Sequence, residues 1–200
     1  MSEHHDHSHA VVTEENSKKL MVALGLTTTF LIVEVVAAFI TQSLALLSDA
    51  AHMFTDVAAL AIALAAIKIG KKAADDKRTF GYQRFEILAA LFNAVMLFVV
   101  AIYIVYEAYQ RFTNPAEIQS VGMMIVAVIG LVINLISMKI LSASAEGSLN
   151  IKGAYLEVLS DALGSIGVII GGIVIYFTQW MWVDTVIAVL IGFWVLPRTW

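Results

Sequence analysis

The sequence predicts an all-α membrane protein of six transmembrane helices. Three observations carry this. Of its 200 residues, 60% are hydrophobic and only 14% are charged, whereas a soluble domain is about 45–50% apolar and about 25% charged. Its mean hydropathy is +0.85. The apolar residues also gather into six stretches, at residues 20–40, 44–69, 85–109, 121–141, 154–177 and 183–196. About 20 apolar residues in helix cross the roughly 30 Å of hydrocarbon in a bilayer. Helix is the state such segments adopt, because backbone groups in lipid must find their partners within the segment.

The first stretch follows Lys18 and Lys19 and carries Glu34. The second, SLALLSDAAHMFTDVAALAIALAA, carries Asp49, His52 and Asp56, and its alanine-rich remainder lets a neighbour approach closely. Ending it before the polar cluster would leave residues 57–69, about 20 Å of helix and too short to cross. The third contains Glu86 and Asn93, seven apart on one face, and the fourth contains Asn134. The fifth, GAYLEVLSDALGSIGVIIGG, carries Glu157 and Asp161 and then a small-residue track of Gly164, Gly167 and Gly171. The sixth opens at Asp184, is short, and is followed by Pro197 and Arg198.

Connections are short except at residues 70–84, and 142–150 (SASAEGSLN) reads as a plain loop. Two regions result: a flexible His-rich tail at 1–17 and a six-helix transport domain at 18–200. The sequence contains no clear internal repeat and leaves no room for a cytoplasmic C-terminal domain. Eleven of the twelve basic residues lie on one side of the predicted spans, Arg111 being the exception. The positive-inside rule then places both termini in the cytoplasm. The polar, His-rich start lacks the cationic segment and cleavage site of a secretory signal. Trp180, Trp182 and Tyr109 suit an interfacial aromatic belt. With no cysteine in the chain, disulfides, thiolate metal sites and cysteine nucleophiles are excluded.

The chemistry lies in the ionisable residues of the second and fifth spans. His52 and Asp56 are four residues apart, as are Glu157 and Asp161, so each pair projects from one helix face. A charge near mid-bilayer costs roughly 2.5–3.5 kcal/mol on insertion scales, so such residues are kept for function. One imidazole and three carboxylates make a four-ligand shell for a divalent metal at about 2.0–2.2 Å. Structural packing between helices is the competing reading. The lack of an intramembrane Lys or Arg to neutralise these acids, Lys68 and Lys139 lying at the span ends, counts against it. The chain therefore reads as a metal carrier.

Other polar residues have less specific readings. Asp49 is a candidate partner that orients His52 or handles protons. Glu86 and Asn134 share that possibility, although Glu86 also suits an interfacial pair with Arg84 or Lys77. Glu34 either lines a polar cavity or bonds between helices. Asp184 favours the dipole at the start of its own helix. His4, His5, His7 and His9, interleaved with Asp6, suit loose capture of metal by a flexible tail.

SLALLSDAAHMFTD, FGYQRFEILAALFNA and the ExxxD of the fifth span resemble the cation diffusion facilitator family, most of all its bacterial cobalt–zinc–cadmium resistance exporters. The resemblance runs from about Lys18 onward. It implies six helices and export of Zn²⁺, with Co²⁺ and Cd²⁺ also possible substrates, by metal–proton antiport across a bacterial inner membrane. It also implies a site between helices two and five and a homodimer. By motif, His52 and Asp56 match the family's helix-two ligand pair, and Glu157 and Asp161 its helix-five pair. Zinc-selective relatives usually carry histidine where Glu157 stands. The family's cytoplasmic C-terminal domain is missing from this chain, which weakens the expected dimer.

Physics supports coupling to protons, since metal ligands bind deprotonated. Exporting a bare dication against about 100 mV, negative inside, costs roughly 4.6 kcal/mol, so inward proton flow supplies a counterflow. The partners are thus metal ions, protons and the lipid bilayer, with no nucleic acid and no resident cofactor. An enzyme is not expected: an intramembrane metalloprotease would need a base placed as in HExxH, and no such motif is present. A membrane receptor or chaperone that binds metal without moving it is the alternative.

Overall fold

A computed structural model describes residues 14–70, 83–114, 116–145 and 149–195; the side chains of some helical residues, Glu86 and Asn93 among them, lie outside what it describes. Six helices occupy the described residues, with no strand among them: α1 Glu14–Thr41, α2 Leu44–Gly70, α3 Gln83–Thr113, α4 Ser120–Ala145, α5 Leu149–Thr178 and α6 Trp182–Val195. The six apolar stretches each fall within or close to one of them. The segment 142–150 is mostly helical rather than a loop, because α4 runs on to Ala145 and α5 begins at Leu149. Small residues such as Ser142 and Ala145 are compatible with a helix that backbone hydrogen bonds already carry forward. The helix α1 likewise starts at Glu14, inside the segment assigned to the tail.

Two residues join α1 to α2. Gln42 takes the left-handed conformation, φ 56°, and the Ser43 amide donates back to the Ala38 carbonyl at 3.2 Å. That is a Schellman ending, which satisfies carbonyls left over at a helix C-terminus. Ser43 then starts the next helix, its Oγ accepting from the Leu46 amide at 3.1 Å. So short a link forces α1 and α2 into an antiparallel hairpin. Gln179, φ 58°, ends α5 in the same conformation, and its amide donates to the Ile175 carbonyl at 2.8 Å. The Gln119 amide donates to the Thr41 carbonyl at 3.0 Å, pinning the α3–α4 connection to the end of α1.

The most extensive helix contact is between α4 and α5, followed by α1 with α2 and with α4. Close approach depends on glycine where a ring must fit: a Cβ on Gly130 of α4 would collide with the ring of Phe30 on α1. The main core joins Leu44, Leu46, Met123, Val168, Ile175 and Ala188 from four helices.

Polarity is inverted relative to a soluble protein. Glu34, Asp49, His52, Asn134, Asp161 and Asp184 are buried, while Phe39, Phe98, Phe177 and Phe193 are each more than 60% exposed. An apolar exterior around a polar interior is stable in lipid and costly in water. Among the described residues four segments are long and apolar enough to span: Lys18–Thr41, Ala94–Arg111, Ser120–Ser142 and Ile151–Thr178. The apolar part of α6, Trp182–Trp194, is shorter. Trp180 and Trp182 stack at its start, ring centroids 5.8 Å apart, as an interfacial pair.

Candidate metal centre

The candidate site lies where α2 runs antiparallel to α5. On α2 the i, i+3, i+7 spacing puts Asp49, His52 and Asp56 on one stripe. His52 Nε2 lies 3.4 Å from Asp56 Oδ2 on its own helix and 3.5 Å from Asp161 Oδ1 on α5. One donor atom from each of these three residues falls within 4.8 Å of the other two. A tetrahedral Zn²⁺ with arms of about 2.1 Å has donor–donor edges of about 3.4 Å. The two separations match that edge. His52 and Asp161 are buried and Asp56 is partly so. The donor set, two carboxylates and one imidazole, suits a borderline dication.

Glu157 is not one of the three. It lies one turn before Asp161 on α5, half-buried. The antiparallel pairing of His52 with Asp161 puts Glu157 at the depth of Asp56. Of the fourfold set read from the sequence, three members converge and the fourth stands beside them.

Deeper toward the α1–α2 turn, Asp49 is fully buried and hydrogen-bonds to Glu34 of α1. That settles the reading of Glu34 as a bond between helices. Its second oxygen, Oε2, has no hydrogen-bond partner among the described residues. Asn134 and Ser137 of α4 are also buried, with Asn134 Nδ2 and Ser137 Oγ in the same condition. Buried polar atoms left in this way mark a polar interior that water or an ion can serve. The Gly164 backbone faces the Asp49 carboxylate, Gly171 faces Ile187 of α6, and Gly167 faces open space. The small-residue track therefore makes two different contacts, at Gly164 and Gly171, with an open position between them. Thr55 Oγ1 donates to the His52 carbonyl at 2.7 Å. His4, His5, His7 and His9 lie outside the described residues, as do residues 71–82.

Asp184 does something its own helix did not suggest. Its carboxylate accepts from Ser43 Oγ at 2.6 Å and from the amides of Leu44 and Ala45 at 2.6 and 3.2 Å. It thus caps the start of α2 rather than α6. Arg111 Nη1 adds a contact to Asp184 at 3.3 Å and another to the Gln42 carbonyl at 2.8 Å, while its Nε meets Glu107 at 3.2 Å. Nothing in the sequence marked Ser43 or Arg111 as partners of Asp184, since all three lie on different elements.

A helical bundle with an apolar outside and three side chains whose donor atoms converge inside defines an integral membrane domain with the geometry of a cation site. Residues 20–200 match the cation efflux transmembrane domain, and the chain belongs to that family, the cation diffusion facilitators. It is 65% identical over 196 residues to the metal cation efflux system protein CzcD of Cupriavidus metallidurans, covering 98% of this chain and 61% of that protein. It is 43% identical over 183 residues to a cadmium, cobalt and zinc/H(+)-K(+) antiporter of Bacillus subtilis, covering 90% and 59%. It is 42% identical over 200 residues to the zinc transporter ZitB of Escherichia coli, covering 98% and 64%. The chain thus spans about three fifths of the length of these curated relatives. It is a multi-pass protein of a bacterial inner membrane. The family is one of transporters, not of enzymes.

Proposed function

We propose that this chain is the transport domain of a divalent-cation exporter that exchanges Zn²⁺, and also Co²⁺ or Cd²⁺, for protons. All six helices cross the membrane with both termini cytoplasmic, and the domain works as a homodimer. The ion is held between α2 and α5 by His52, Asp56 and Asp161, with Glu157 as the fourth donor. The observation that carries this reading is the pair of donor separations, 3.4 and 3.5 Å, at the edge length of a zinc tetrahedron within the bundle. The names of the relatives, which speak of cation efflux and of zinc, cobalt and cadmium, support it.

Charge explains the exchange. With Glu157 in the shell, three carboxylates and a neutral imidazole leave the loaded centre at −1, and one proton kept on an acid brings it to zero in a medium where charge is costly. When the metal leaves, protons are the ions available to replace it on the carboxylates. Asp49 and Asn134 flank the centre, and they orient donors or pass protons. Glu86 is assigned to the same work at the far end of α3. His4, His5, His7 and His9 gather cytosolic metal for the centre.

The test is counterflow in sealed proteoliposomes. An inward proton gradient should drive Zn²⁺ the other way with wild type and not with Asp161→Ala. Binding of Zn²⁺ without counterflow would instead make the chain a metal receptor.

A further inference from the structure

We propose that the contact between Asp49 and Gly164 sets the gap between α2 and α5 at the metal centre, and thereby the size of cation it accepts. This rests on the metal-centre reading above. A Cβ built on Gly164 would stand 2.9 Å from Asp49 Oδ1 and 3.7 Å from its Cγ. The Asp49 carboxylate is therefore seated on the bare backbone of α5, where no other residue type leaves room. Behind it stands α1: Asp49 is 2% exposed and hydrogen-bonded to Glu34, itself 1% exposed. Swinging Asp49 aside would cost that bond between two buried side chains. Asp49 thus acts as a spacer, with α1 at its back and α5 in front.

The spacer sits next to the ligands. Asp49 precedes His52 by three residues, and Gly164 follows Asp161 by three, so about 4.5 Å of each helix separates the spacer from the His52–Asp161 contact. The contact of α2 with α5 is small beside that of α4 with α5, so little else holds this gap. A change at the spacer therefore passes to the ligands almost undiminished.

The magnitudes agree. The closest ordinary C···O separation is about 3.3 Å, so a methyl at position 164 must move Asp49 away by about 0.4 Å. Zinc bonds run about 2.0–2.2 Å, against about 2.3–2.6 Å for Ca²⁺, which Cd²⁺ resembles in radius. The displacement is as large as the difference between the two kinds of ion. Glycine at 164 keeps the centre small; a bulkier residue opens it.

The experiment is competition of Zn²⁺ and Cd²⁺ against calibrated chelators on the purified full chain in detergent. Gly164→Ala should weaken Zn²⁺ binding about tenfold while changing Cd²⁺ by less than about threefold, each tenfold being one decade in Kd. Asp49→Glu lengthens the spacer from the other helix and should move the ratio the same way. Adding Asp49→Ala to Gly164→Ala should bring the ratio back toward that of Asp49→Ala alone. Equal losses for both metals, an unmoved ratio, or no return in the double variant would each overturn the spacer role. Failure of wild type to bind either metal would instead strike the metal-centre reading, and this inference with it.

Discussion

Two buried carboxylate sites, less than half of α2 apart, behave in opposite ways. At the start of α2, Asp184 meets only donors: a hydroxyl, two amides and the Arg111 guanidinium. At the middle of α2, Asp56 and Asp161 converge with His52 on a point where three lone-pair donors meet. The first arrangement is complete within the protein and ties α2, α3 and α6 together. The second gathers acceptor atoms within 4.8 Å of one another, an arrangement suited to a cation. Burial of an acid in a membrane protein is thus not by itself a sign of a transport site; the character of its neighbours decides.

The comparison can be broken at either site. Asp184→Ala should give the largest effect, about 3 kcal/mol of lost stability, because the Ser43 hydroxyl and two buried helix-start amides lose their acceptor together and the partly buried Arg111 guanidinium loses one of three. Denaturant unfolding in detergent checks it. The folded fraction should keep its Zn²⁺ affinity. Asp161→Ala should do the reverse, leaving unfolding nearly unchanged and weakening Zn²⁺ binding by more than about 100-fold, since loss of even an outer-shell partner costs 10–100-fold. If both variants lost stability and affinity alike, the distinction between an anchor and a centre would fail.

Smaller changes sharpen it. Glu157→His replaces a carboxylate that stands beside the trio with an imidazole, bringing a charge of −1 for the fourfold zinc shell to zero. Zinc should gain on Co²⁺ by about tenfold in competition, given the preference of imidazole for zinc and of carboxylate for harder ions. An unchanged ranking of metals would mean that Glu157 never joins the shell. Ser43→Ala should be mildest, about 1 kcal/mol of stability, as for loss of a helix N-cap, with metal binding untouched.

How much could be read beforehand differs between these same residues. His52, Asp56 and Asp161 stand out from one chain because an ionisable group in an apolar stretch carries a cost wherever it points. Their spacing along each helix placed them on one face, and the structure adds only that the two faces meet. Asp184 does lie in the first turn of α6, where an acid suits the helix dipole, but nothing local reveals that its carboxylate caps the start of α2. Ser142 and its neighbours read as a loop because their composition is small and polar, while the backbone continues as helix. Spacing along α5 puts Glu157 on the face of Asp161 but cannot say that its donor atoms stand outside the group that His52, Asp56 and Asp161 form.

Hydrophobicity and its interruptions, properties of the chain in order, were enough to mark a helical membrane protein with a pair of ionisable residues on one face of each of two helices. Which groups pair across helices was left to the folded bundle: Asp184 with the start of α2, Asp49 between Glu34 and Gly164, Glu157 beside the trio. Rotation and axial offset between packed helices arise from side chains interlocking at their contacts, and no periodicity within a single helix encodes them.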